Sequence, residues 1–181
     1  MNIFYLDKDT KTCAEMHVDK HVVKMIVEYA QLLSTAHRML DGVKTEAKSK
    51  TGRKTWRYPM QDKRQDIIYQ AVHYHHPSAV WCRETKEQYL WLYDLFVKLG
   101  EEYTHRYGKV HKSIQKLGKK LERLPHNIPR GKMTEFKLAM KQYPECMKED
   151  TVESYRLYYQ TKQDKFNMVW TKRDIPEWFN A

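Results

Sequence analysis

The segment from Thr12 to Leu40 contains neither Pro nor Gly, and its apolar residues recur at helical spacing over most of the helix circumference. Val18, Val22, Met25, Tyr29, Leu32, Ala36 and Leu40 form one row, flanked by Val23, Ile26, Val27, Ala30 and Leu33. At about 3.6 residues per turn these rows leave one narrow arc. That arc carries His17, His21, Lys24, Glu28, Gln31 and Thr35. A helix that is apolar on most sides is buried, and a buried charge is costly unless it is paired or lines a wet cleft. The pattern predicts one long buried helix with a polar groove along it. His17, His21, Lys24 and Glu28 are its candidate catalytic residues. The competing reading is a hydrogen-bonded network that only positions helices.

The rest of the chain predicts an all-α, single-domain bundle of about five helices spanning residues 1–181. Asn2 to Leu6 reads as an extended lead-in packed on the core. Asp41-Gly42 stops the first long helix. Residues 43–62 read as a basic, mobile connector, and no strand hairpin of any strength is signalled. A short helix is expected over 62–75, ending at His76-Pro77 because a residue before Pro avoids the helical region. Thr85 to Tyr107 is the second long helix, with Thr85 and Gln88 as a capping box. Lys109 to Leu124 is a basic amphipathic helix. Residues 125–149, with Pro125, Pro129, Gly131 and Pro144, read as loop. Asp150 or Thr151 caps a last helix, and the aromatics Trp178 and Phe179 pin the end of the chain.

The formal net charge is +10, from 33 Lys and Arg against 23 Asp and Glu. Such a balance favours a polyanionic partner, DNA first, with RNA as the variant of the same chemistry. The candidate contacts are Lys109, Lys112, Lys116, Lys119, Lys120 and Arg123 on the basic helix, and Arg53, Lys54, Trp56 and Arg57 in the connector. Cations hold the phosphate backbone, and aromatic groups among them suit stacking on bases. The three cysteines, Cys13, Cys82 and Cys146, are scattered and form no CxxC pair, which argues against a disulfide framework or a cysteine zinc site. No leader and no membrane span is read, so the cytoplasm is the expected location (the host's, for a phage-encoded chain).

Three chemistries fit the stripe. A carboxylate such as Glu28 stabilises a positive sugar-like transition state. A desolvated amine such as Lys24 attacks an electrophilic carbon. A histidine carries protons near neutral pH. His17 and His21, four residues apart, also have the spacing of metal ligands, with Glu28 as a third. Lys24 on the same face repels a divalent ion, so neither a metal nor another cofactor is expected.

The segment KHVVKMIVEYAQLLSTAHR resembles the first helix of the pyrimidine dimer DNA glycosylase family, the phage endonuclease V type. His21 and Glu28 match that family's His and catalytic Glu in spacing, and His37 and Arg38 fall where it has basic residues. The later run HHPSAVWCRETKEQYLWLYDLF is loosely similar to its second helical region. The resemblance implies a small, basic, helical DNA glycosylase, with or without abasic-site lyase activity. In it Glu28 supports charge at the sugar carbon, His21 lines the groove and Arg38 contacts nucleic acid. The family's nucleophile is an α-amine exposed by Met removal. Asn2 is too large for ready removal, which leaves the Met1 amine or Lys24 as candidates. Val27 stands where the family has a basic residue before its Glu. The chain is also similar to small proteins of tailed bacterial viruses. Two other readings stay open: a non-enzymatic protein that binds nucleic acid or a host factor, and a metal-dependent nuclease or phosphoesterase.

Overall fold

In a computed structural model that describes residues 2–179, the polar-striped segment folds as two helices. Helix α1 spans Thr10–Glu15 and helix α2 spans Asp19–Asp41, where the sequence predicted a single helix from Thr12 to Leu40. The break is enforced by residues distant in the chain. The Val18 amide donates to the Tyr159 hydroxyl (3.0 Å), and the Asp19 amide donates to the Val169 carbonyl (2.8 Å). Trp170 Nε1 donates to the Met16 carbonyl at 2.9 Å, closing the C-terminal segment over the joint. An ion network locks it further. Arg106, itself buried, reaches Glu102 (2.6 Å), Asp19 (2.8 Å) and the Glu15 carbonyl (3.0 Å), and Arg173 pairs with Glu102 from the other side (2.8 Å). Both Glu102 oxygens are thereby matched, as a buried charge requires.

Around α2 the core assembles as an all-α bundle. Helices α3 (Pro77–Trp81), α4 (Lys86–Tyr107), α5 (Lys112–Leu121) and α6 (Thr151–Gln160) complete six α-helices among the described residues. Helix α2 packs on α4 and α5, and α1 packs on α4. Val22, Met25, Ile26, Tyr29, Ala30, Leu32, Leu33 and Ala36 are almost wholly buried, whereas Val23 of the second row is exposed. The lead-in lies on this core as expected, with Ile3 to Leu6 buried. Thr85 caps α4 by accepting the Gln88 amide (3.4 Å), and Gly108 ends it with a left-handed φ of 68° that a side chain would strain. A side chain at Gly100 would meet Ile114 at 2.6 Å, so this glycine sets how closely α5 approaches α4.

Three expectations are corrected. The connector contains an antiparallel hairpin, β1 (Thr45–Lys48) and β2 (Lys54–Arg57), turning through Gly52 at φ 78°. Residues 62–75 form only a 3₁₀ turn, Lys63–Asp66, and Pro77 begins α3 with His76 as its N-cap. Proline suits that first helical position because its missing amide has no helical partner there. Arg38 explains the absent helix. Its guanidinium, with no exposed surface, takes the carbonyls of Tyr58, Gln65, Ile68 and Tyr69 at 2.6–3.1 Å, together with the Gln65 side chain. A helix through that segment would keep those carbonyls for itself. The basic helix is shorter than the expected 109–124, because His111 caps it by accepting the Ser113 amide. Residues 125–149 are irregular apart from a 3₁₀ turn at Pro144–Cys146, and Asp150 caps α6 by accepting the Glu153 amide.

Candidate nucleic-acid interface

The break between α1 and α2 divides the polar stripe. His17 falls in the break and has no exposed surface. Its Nδ1 faces the Cys13 carbonyl (2.7 Å) and so donates; its Nε2 then accepts from the Tyr29 hydroxyl (3.1 Å). His21 lies under Phe4, rings stacked at 4.7 Å, and its Nδ1 accepts from the Tyr159 hydroxyl (2.8 Å). Burial pushes His17 down to about 4, and burial, then the charge on His17, pushes His21 down to about 3. Both rings are neutral at pH 7. The expectation of His17 as a catalytic groove residue is therefore corrected: it is a sealed structural histidine, its ring nitrogens already engaged. Lys24 is out in solvent and pairs with the half-buried Glu28 at 3.3 Å. Thr35 bonds the backbone of Val72. Among the described residues no group of three His, Cys, Asp or Glu side chains is placed to hold a metal ion, so His17, His21 and Glu28 do not come together as ligands. The Met1 amine lies outside the described residues.

The cations gather elsewhere. A cleft of about 640 Å³ opens between the end of α5 and the turn at Lys63–Asp66. Lys63, Arg64, Lys119, Lys120 and Arg123 line it against only two acids, Asp62 and Glu122, and His126 closes one side. Local structure places each of these groups. Lys119 and Lys120 stand in the last turn of α5, where the helix dipole favours cations. Asp62 caps the 3₁₀ turn and holds Arg64 in a fork (2.7–3.0 Å). Hydrogen bonds from Arg64 pull the Asp62 carboxyl down to about 2. Asp41, expected only to help end the first helix, accepts from Arg64 (2.5 Å) and from the His126 and Asn127 amides (2.8 and 3.0 Å). It thus ties the loop after α5 to the end of α2. Burial works to raise the Asp41 carboxyl, but these donors hold it low.

Behind the cleft runs a fixed chain. Arg64 donates to His37 Nδ1 (3.0 Å), His37 Nε2 donates to the Tyr89 hydroxyl (2.9 Å), and Tyr89 donates to the Leu121 carbonyl (2.8 Å). Burial, then the Arg64 charge, lowers His37 to about 4, so it acts as a neutral strut. With Arg64 matched to two carboxylates, Lys63, Lys119, Lys120 and Arg123 are the groups that face an incoming anion.

Of the other expected contacts, Lys109, Lys112 and Lys116 are exposed on or before α5, and Lys116 sits over the Tyr69 ring (5.6 Å). Arg53, Lys54 and Arg57 are exposed on the hairpin. Trp56 does not offer a bare face, since the ammoniums of Lys44 and Lys54 lie over its ring at 4.4 and 5.2 Å. Arg38 contacts no phosphate: its guanidinium is buried and wholly used by backbone carbonyls and Gln65. Lys63 and Arg64 belong to the basic stretch 44–64 without standing out in it as contacts, and His126 lies outside the expected surface. Their approach to α5 depends on Asp41 and Asp62, whose roles no local pattern announces.

A second cleft, of about 480 Å³, lies between Asn2, His76, Leu138 to Tyr143 and Tyr158. Burial keeps His76 below the ordinary histidine range, and the nearby Glu28 charge opposes that shift. Behind the tyrosines Lys162 is nearly buried, its ammonium 3.4 Å from the Tyr158 ring centre, and burial lowers it to about 8.

Among the described residues no helix is long and apolar enough to cross a membrane. No protein-family model, no curated protein and no solved structure matches this chain.

Proposed function

We propose that this protein binds nucleic acid, DNA above all, by seating the phosphate backbone in the cleft between α5 and the Lys63–Asp66 turn. The observation that carries the reading is the convergence of Lys63, Lys119, Lys120 and Arg123 on one concave site whose walls are fixed by Asp41, Asp62 and His37. The cleft's four phosphate contacts alone release four sets of counterions, which gives affinity a salt slope of about −3.6 on logarithmic axes, and any further contact steepens it. Fluorescence anisotropy with a labelled DNA duplex is the test. Between about 50 and 200 mM salt the affinity is expected to drop roughly a hundredfold. A flat response points instead to a protein partner.

A second reading, base excision at a damaged or modified nucleotide, has one specific support. Glu28 is a half-buried carboxylate near the second cleft, with its partner Lys24 exposed and the desolvated amine of Lys162 nearby. In this reading Glu28 stabilises charge developing at the sugar carbon, and Lys24 supplies the attacking amine. His21 contributes shape and not proton transfer, since it is neutral and stacked. Borohydride reduction in the presence of an abasic-site duplex is expected to leave DNA attached to the peptide carrying Lys24. No adduct and no released base would remove the enzyme.

A further inference from the structure

The hairpin β1–β2 packs on itself far more than on any other element, so it projects from the bundle as a two-stranded ribbon. Its register pairs Thr45 with Arg57, Glu46 with Trp56, Ala47 with Thr55 and Lys48 with Lys54. Directly paired residues share a face, and successive residues alternate between faces. One face therefore carries Glu46, Lys48, Lys54 and Trp56; the other carries Thr45, Ala47, Thr55 and Arg57. On the first face Lys54 is tied to Glu46 (2.7 Å), and Lys44 and Lys54 rest on Trp56. The second face is different in kind: two threonines, one alanine and one arginine, with neither an aromatic ring nor an acid.

We propose that this ribbon enters the major groove of duplex DNA, with Thr45, Ala47, Thr55 and Arg57 against the base edges and the flanking cations on the phosphates. The inference rests on the nucleic-acid reading above and adds sequence discrimination to it. The major groove, about 12 Å wide, admits a two-stranded ribbon. The chemistry of the small face fits base edges. An arginine pairs in bidentate fashion with guanine O6 and N7, threonine hydroxyls meet either donors or acceptors, and methyl groups of Ala and Thr pack on the thymine methyl. The charge is complementary too: Lys44, Lys48, Lys50, Arg53, Lys54 and Arg57 stand within this short stretch against the single acid Glu46. An RNA duplex is excluded as the occupant, because its major groove is too deep and narrow for side chains to read.

The test is selection by the full-length protein from a pool of random DNA duplexes, followed by methylation interference on the enriched sequence. A guanine-containing sequence is expected to emerge, and methylation of a guanine N7 is expected to weaken binding about tenfold. Arg57→Ala is expected to erase about tenfold of the ratio between affinity for the enriched sequence and affinity for the unselected pool, beyond the general loss of one cation that lowers both alike. Arg57 is exposed, so the fold does not depend on it. If the wild type binds the pool with steep salt dependence but enriches nothing, the cationic cleft survives and groove entry is overturned. Unchanged preference in Arg57→Ala, interference confined to the minor-groove adenine N3, or equal affinity for an RNA duplex overturns it as well. No binding to any duplex overturns both readings together.

Discussion

Replacing Lys119, Lys120 and Arg123 by Glu together is expected to lower duplex DNA affinity by about 10²–10³-fold near physiological salt. Three phosphate contacts contribute about two logarithmic units at that salt through counterion release, and the reversed charges add repulsion. The three side chains are exposed, so the fold tolerates the change. The expected structural cost is confined to the last turn of α5, where acids oppose the helix dipole by roughly 0.3–1 kcal/mol each. Far-UV circular dichroism and a melting curve read that cost separately from binding. Lys11→Glu with Lys98→Glu is the control, set against Lys119→Glu with Lys120→Glu so that the change of net charge is equal. These lysines border a different depression, beside Glu101 and Glu102, and their reversal is expected to change affinity only through net charge. An equal loss in the control would mean that the cleft has no special part in binding.

Acid is expected to unfold this protein well above the range where carboxylates titrate. His17, His21 and His37 are held at about 4, 3 and 4, against an ordinary value of 6.5. A lowered histidine binds its proton more readily in the unfolded chain, so protonation favours unfolding. The stabilisation from keeping these rings neutral is fully present above about pH 6.5 and is lost as the pH falls from there toward 4. Each ring contributes up to about 1.4 kcal/mol per pH unit across that window. The three together remove roughly 6 kcal/mol by pH 5, comparable to the whole stability of many domains. Asp19 and Asp62, whose carboxyls are lowered, add their losses only below about pH 4. Urea denaturation between pH 7.5 and 5 at constant ionic strength measures the slope. His17→Asn is expected to lower stability at pH 7 and to reduce that slope by about one third. A slope unchanged by His17→Asn would contradict the sealed network.

What the sequence made legible and what it hid divide along one line, the range over which the deciding contacts act. Helices α4 and α6 start where Thr85 and Asp150 predict, because a cap is a contact over three residues. The break before α2 was invisible, since Tyr159, Val169 and Trp170 impose it from the far end of the chain. The missing helix over 62–75 has a similar cause in Arg38, whose guanidinium claims the carbonyls that helix would use. The hairpin carries no strand signal, because its strands hold lysine, threonine and glutamate in place of alternating apolar residues, and its tip lacks an Asn-Gly or Asp-Gly pair. The cations of α5 could be read from helical spacing, but the opposite wall of their cleft could not. Periodicity also placed His17 beside Lys24 and Glu28, an arrangement that requires one unbroken helix.

Lysine acetylation footprinting with mass spectrometry reads directly where phosphate sits. With a DNA duplex bound, Lys63, Lys119 and Lys120 are expected to lose reactivity, while Lys11, Lys98 and Lys172 keep theirs. Undiminished reactivity at Lys63, Lys119 and Lys120 in a saturated complex, or protection spread evenly over all the exposed lysines, would contradict the cleft as the binding site.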